Sequence, residues 1–313
     1  MSRYLTIGNQ ALPKEWPDCF SFAPMAIIKT TTVLSTLTEG GETKPTFERT
    51  FEEYNPQGKL VLSVERDAEG KELHREEYAY DGEGRKTREH KHFVSEEMEE
   101  THRWEYDEQG EVVREISEYV GGFETVKHLD RQPGKIVVKV TDEDGTPEGR
   151  EERTLDAEGR VVEVVEYDEE DTLKAHLVTE YDAAGRKVRE ETRSWDDSFV
   201  QEWMYVYDEE GRLMEEKELN EEGYIILLRK HEYDEKGQLI AYSAEDLIRK
   251  EKVLRSYAYN EQGQLVEESR IRGEVPEATS QYEYNAEGKI IKQTITTPFF
   301  EAVNEYQYTY HPE

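Results

Sequence analysis

Tyr207-Asp-Glu-Glu-Gly-Arg-Leu213 returns 26 residues later as Tyr233-Asp-Glu-Lys-Gly-Gln-Leu239. The same frame begins at Tyr54, Tyr80, Tyr106, Leu129, Leu155, Tyr181, Tyr207, Tyr233, Tyr259 and Tyr284. Its glycines are Gly58, Gly84, Gly110, Gly134, Gly159, Gly185, Gly211, Gly237, Gly263 and Gly288, so the period slips by only one or two residues. A fixed period sustained over most of a chain is the signature of a repeat array.

Each signature is written in turn chemistry. Asp or Asn at its second position accepts hydrogen bonds from backbone N–H groups farther on, and glycine supplies the positive φ that closes the loop as a bulge. The structural turn residues are Asp81 and Gly84, Asp107 and Gly110, Asp182 and Gly185, Asp208 and Gly211, and Asp234 and Gly237. Strand-like runs rich in Tyr, Val, Leu and Thr flank them, such as Lys59-Leu-Val-Leu-Ser-Val-Glu65 and Trp203-Met-Tyr-Val-Tyr207. A second, looser turn follows many signatures about half a period on, as in Asp67-Ala-Glu-Gly70 and Asn220-Glu-Glu-Gly223. Each unit therefore reads as two antiparallel strands and two turns.

The expected fold is all-β: an array of about ten antiparallel hairpin units over residues 46–313, forming one long curled or spiralling meander sheet. Residues 1–45 lack the signature and read as an N-terminal capping segment. Such a ribbon would be about 25 Å wide and nearly 100 Å long, too many strands to stay flat. Tyr78 and Tyr80, Trp104 and Tyr106, and Tyr282 and Tyr284 are i, i+2 neighbours, so each pair is expected on one face as a thin core. Hydrophobic residues make up 35% of the chain and charged residues 36%, and the periodic turns and aromatic positions argue against disorder.

The run Tyr-Asp-x-x-Gly-Arg/Gln-Leu/Val resembles the YD repeat of Rhs and teneurin-type proteins, over roughly residues 54 to 310. In that family the repeats form a spiralling β-sheet that can enclose a toxin domain, so the resemblance implies a spiral. This chain departs from the large members in having few repeats and no toxin-like domain after the last. A short, free-standing member resembles a bacterial accessory or immunity-type protein more than a toxin carrier.

Lys plus Arg number 40 against 73 Asp plus Glu, a net charge of −33. Phosphate backbones need a basic surface, so direct nucleic-acid binding is disfavoured and a basic protein partner is favoured. No apolar stretch of membrane-helix length occurs, the N-terminus does not read as a signal peptide, and the single Cys19 suits a reducing compartment. A cytoplasmic protein without membrane contact is expected.

Catalytic, metal and cofactor signatures are lacking. The eight histidines are scattered, His90-Lys-His92 is an isolated pair, and paired glutamates are too common for any to mark a carboxylate site. Neither an enzyme nor a cofactor is expected. Recognition residues are expected on the mid-period turns, which escape the signature's constraint: Glu96, Glu97, Phe123, Trp195, Asp196, Asp197, Phe199 and Asp246, with Trp195 and Phe199 as aromatic anchors in an acidic setting. Two functions follow. One is an intracellular, immunity-type inhibitor neutralising a basic secreted toxin such as a nuclease; the other is a structural or carrier module holding a peptide or glycan on a concave aromatic face.

Overall fold

The computed structural model describes residues 26–196 and 198–312. The strands are β1 (Ile28–Glu39), β2 (Glu42–Thr43), β3 (Phe47–Tyr54), β4 (Leu60–Arg66), β5 (Glu72–Tyr80), β6 (Lys86–Phe93), β7 (Met98–Tyr106) and β8 (Val112–Tyr119). They continue as β9 (Phe123–Gln132), β10 (Lys135–Asp142), β11 (Pro147–Leu155), β12 (Val161–Asp168), β13 (Leu173–Tyr181), β14 (Lys187–Ser194), β15 (Phe199–Tyr207) and β16 (Leu213–Leu219). The last are β17 (Ile225–Tyr233), β18 (Leu239–Asp246), β19 (Glu251–Tyr259), β20 (Leu265–Arg272), β21 (Val275–Tyr284), β22 (Ile290–Thr296) and β23 (Phe300–Tyr310). No helix occurs among the described residues.

From β3 to β23 every strand pairs antiparallel with the next, as hairpins on each side of a turn require. The meander does not end in free edges. β1 pairs with β3 on one side and with β23 on the other, from Ile28 opposite Tyr310 to Glu39 opposite Phe300. β2 pairs only with the end of β1, so the sheet is a closed antiparallel barrel of 22 strands.

This corrects the expected open or spiralling sheet. The correction has two physical sources. Residues 28–39, inside the segment read as a cap, are a β-branched run (Thr30 to Val33, Thr36, Thr38) that supplies one more full strand. In addition, the pairing registers accumulate a stagger of about 22 residues over one circuit. With as much stagger as strands, the tilt is roughly 35–40° and the backbone cylinder about 40 Å across, with a lumen on the order of 25 Å wide. The 100 Å ribbon is bent round until its ends meet.

The two faces of the wall differ. Along β15, Trp203, Tyr205 and Tyr207 are half-buried while Val200, Met204 and Val206 are exposed; along β19, Arg255, Tyr257 and Tyr259 alternate in the same way with Leu254, Ser256 and Ala258. Leu73, on the face opposite Tyr78 and Tyr80, turns its carbonyl toward β6, where it accepts from the Val94 N–H. In a sheet of L-residues coiling right-handed about the axis, that orientation and the sense of the stagger turn the tyrosine face toward the lumen. The lower exposure of that face agrees with its being the concave one.

Both faces carry charge at mid-height. On the outer face Arg189 bonds Glu202 at 2.6 Å and Glu180 at 2.8 Å, and Arg103 bonds Glu124 at 2.6 Å. On the inner face Lys91 pairs with Glu89 at 2.7 Å and Arg229 with Glu216 at 3.1 Å. The apolar core is correspondingly thin, limited to residues such as Val33, Val64, Ile116, Val126 and Val138. No described strand approaches any but its ladder neighbours, so none of the described strands crosses the lumen.

Candidate binding rims and lumen wall

The signature turns all lie on one rim, where they lock each repeat to the next. In the turn after β5, Asp81 Oδ1 accepts the backbone N–H of Glu83 at 3.1 Å and of Arg85 at 2.8 Å, and Oδ2 accepts Arg85 Nε at 2.6 Å. The Arg85 guanidinium then lies over the Tyr106 ring of the following repeat, 4.7 Å from its centroid. Arg160 over Tyr181 and Arg186 over Tyr207 repeat the arrangement. Asp107, Asp182, Asp208 and Asp234 cap their turns in the same way, and Gly84, Gly110, Gly185, Gly211 and Gly237 all have positive φ. The backbone and guanidinium hydrogen bonds of Arg186 hold the Asp182 carboxyl below its ordinary range. The Leu129 repeat departs from the pattern: Gln132 pairs directly with Lys135, so Pro133-Gly134 alone makes the turn.

The opposite rim is built from the mid-period turns, and it is apolar and acidic together. Phe123 (75% exposed), Trp195 (68%), Tyr224 (71%), Ile248 (70%), Val275 (63%) and Phe299 (80%) project from separate turns around it. Between them stand exposed carboxylates such as Glu69, Glu143, Asp144, Glu169, Glu221 and Glu274. The signature rim has no such crown, because its turn centres are Gln57, Glu108, Ala157, Glu209, Lys236 and similar residues.

All the recognition residues read from the sequence map to the mid-period rim, except that Asp197 lies outside the described residues. Trp195 is at the tip of the β14–β15 turn. Asp196 caps that turn, accepting from the Ser194 hydroxyl at 2.7 Å and the Ser198 N–H at 3.0 Å, and the Ser198 hydroxyl, the Ser194 hydroxyl and the Ser198 N–H together hold its carboxyl down to about 2. Phe199 opens β15 and is half-buried, so the two aromatics do not form a pair of exposed anchors. Glu96 and Glu97 are exposed in the β6–β7 turn, with Glu97 at φ +51° where most turns use glycine. Asp246 serves the β18–β19 turn by accepting the N–H groups of Ile248 and Arg249 at 3.0 and 2.8 Å. Tyr224, Ile248, Val275 and Phe299 were not legible as recognition residues; Tyr224, Ile248 and Phe299 each sit in or beside a turn that a polar side chain caps.

The lumen wall carries the densest aromatic and ionic cluster. Glu216, 6% exposed, accepts from Arg229, and Arg229 stacks over Trp203 with 4.8 Å to the ring centroid. His231 packs against Tyr242 at 5.2 Å, and its buried Nδ1 has no hydrogen-bond partner among the described residues. Burial lowers the His231 pKa and pushes Tyr205 up to about 12. Among the described residues no group of three or more His, Cys, Asp or Glu side chains converges to hold a metal ion.

Neither a protein-family model nor a curated protein matches the chain. Among solved structures, TcdB2–TccC3 without its hypervariable C-terminal region is similar at 15% identity and a TM-score of 0.39, covering 82% of this chain and 17% of that one. A porin-like protein from Bacteroides uniformis matches at 9% identity and a TM-score of 0.34, covering 91% of this chain and 99% of that one. Another from Bacteroides vulgatus matches at 10% and 0.25, covering 92% and 100%. The chain thus spans about a sixth of the TcdB2–TccC3 chain.

Proposed function

We propose that the protein is a water-soluble, non-catalytic binding barrel that docks a basic protein through its mid-period rim. One observation carries this reading: large exposed apolar side chains ring one rim and are missing from the turn centres of the other, and carboxylates are interleaved among them. Exposed apolar anchors among charges of one sign are the composition of a docking surface for a partner of opposite charge. Inhibition of a basic secreted toxin is one form this binding would take. No helix of the described chain is long and apolar enough to cross a membrane. A lipid-facing barrel needs an apolar outer band, and the Arg189–Glu202 and Arg103–Glu124 pairs oppose one. A cytoplasmic setting belongs to the same proposal, supported by the single cysteine.

The test is affinity capture from the source organism at low and high salt, comparing the intact protein with a Phe123→Ser/Trp195→Ser/Phe299→Ser variant. Retention of a basic protein that salt weakens and the variant loses is expected. Equal retention by both would overturn the rim as the docking surface. A second reading, a carrier holding a peptide or glycan, rests on the lumen wall; salt-resistant retention lost on Trp203→Ala but kept by the rim variant would favour it.

A further inference from the structure

β19 and β20 set two arginines directly opposite each other on the lumen face. Arg255 pairs in register with Arg270, and Arg272 lies two residues farther along the same face. Like charges placed opposite across a ladder are destabilising unless something neutralises them. The carboxylates at hand do this incompletely. Glu277 serves two guanidinium groups at once, Arg270 at 2.6 Å and Arg272 at 2.5 Å, and Glu251 comes only within 4.0 Å of Arg272. Arg255 has one carboxylate within ion-pair range among the described residues, Glu268 at 3.9 Å, and its buried Nε has no hydrogen-bond partner among them. The other arginine pair set opposite among the described strands, Arg88 and Arg103 on the outer face, differs in this respect: Arg103 bonds Glu118 at 3.3 Å and Glu124 at 2.6 Å.

The surroundings leave the pair open to the lumen. The Arg255 and Arg270 side chains remain 29% and 34% exposed. Short Ala278 is the register partner of Arg270 on one side, Tyr242 is that of Arg255 on the other, and the Tyr257 hydroxyl stands beside the Arg255 guanidinium. A carboxylate presents one two-oxygen edge, enough for one guanidinium fork. A tetrahedral dianion presents an edge to each of two forks, and its two charges match the pair. The chain's net charge of −33 repels anions at long range, but salt screens that field over about 8 Å, whereas a bridging oxyanion touches both guanidinium groups. We infer that the lumen wall binds a phosphate-type tetrahedral dianion between Arg255 and Arg270. The site uses no residue of the rim crown and stands independently of rim docking.

The probes are inorganic phosphate, sulfate and acetate, each titrated calorimetrically into the intact protein in chloride buffer at constant ionic strength. Saturable one-site binding of phosphate, sulfate or both, without acetate, is expected, and the tighter of the two identifies the ester group that the site takes. Arg255→Lys/Arg270→Lys keeps both charges and loses both forks, so binding should weaken at least about tenfold, the size of one charge-assisted hydrogen bond. Arg255→Gln/Arg270→Gln should abolish it, with circular dichroism reporting whether each variant keeps its strands; the lysine variant carries the test if the glutamine variant does not fold. Arg88→Lys/Arg103→Lys should bind as the parent does. Absence of binding, equal binding of acetate, unchanged affinity in the lysine variant, or an equal loss in the outer-face variant would each overturn the inference.

Discussion

The Tyr106 hydroxyl donates to the backbone carbonyl of Lys86, 20 residues earlier in the chain, at 2.6 Å. Tyr80 reaches Leu60, Tyr207 reaches Lys187, Tyr233 reaches Leu213 and Tyr259 reaches Leu239 by the same bond. In each case the acceptor lies at the bulge beyond the preceding signature turn, so tyrosine ties one hairpin to the one before it. Tyr106→Phe keeps the ring under Arg85 and removes only this bond. It is expected to lower stability by about 1 kcal/mol, read as a fall in the denaturant midpoint. An unchanged midpoint would show that the bond contributes nothing beyond ring packing.

Gly159 and Gly185 separate two roles of the signature glycine. Both have φ of +81°, where a side chain is strained, but only at Gly185 would a Cβ meet a neighbour, Arg160 Nη1 at 2.9 Å. The turn before Gly159 is the short Pro133-Gly134 loop, with no arginine to lie there. Gly159→Ala is expected to cost about 1 kcal/mol from backbone strain. Gly185→Ala should cost more, because it also displaces Arg160 from the Tyr181 ring, and equal losses would remove that packing role.

His231 makes stability depend on pH. Burial holds its folded-state pKa below the ordinary 6.5. Above pH 6.5 the imidazole is neutral in both states and its contribution is fully present. As pH falls below 6.5 the unfolded chain takes up a proton that the folded barrel resists, so stability declines until the lowered folded value is reached. Denaturant midpoints between pH 7 and 5 should fall less steeply in His231→Phe than in the parent protein, and parallel curves would contradict this.

Removing residues 298–313 deletes β23, which pairs with both β1 and β22. The barrel is then expected to open and leave two unpaired edges, which seek new partners. Sedimentation should show self-association of the truncated chain. A monomer as stable as the parent would mean that the sheet does not depend on its seam.

The hairpins, the two strands per repeat and the division into a uniform and a variable rim were legible in the sequence because turn chemistry is local. Closure was not, because it depends on stagger summed over all the strands and on β1, which carries no signature. Phe123 and Trp195 were readable as exposed rim aromatics because their neighbours are loop-like. Phe199 was read in the same way but begins a strand and folds partly into it. Tyr224 and Ile248 escaped notice inside segments whose Asn220 and Asp246 caps look purely structural.

Barrel closure is tested most directly at Thr30 and Thr309, whose hydroxyl oxygens are 2.6 Å apart across the β1–β23 seam. Thr30→Cys/Thr309→Cys, in a Cys19→Ser background, is to be oxidised at low protein concentration and the product mass and linkage read by non-reducing peptide mapping. A closed barrel predicts near-complete intramolecular cross-linking in the monomer. Failure to cross-link, or disulfides formed only between molecules, would contradict closure and restore an open sheet.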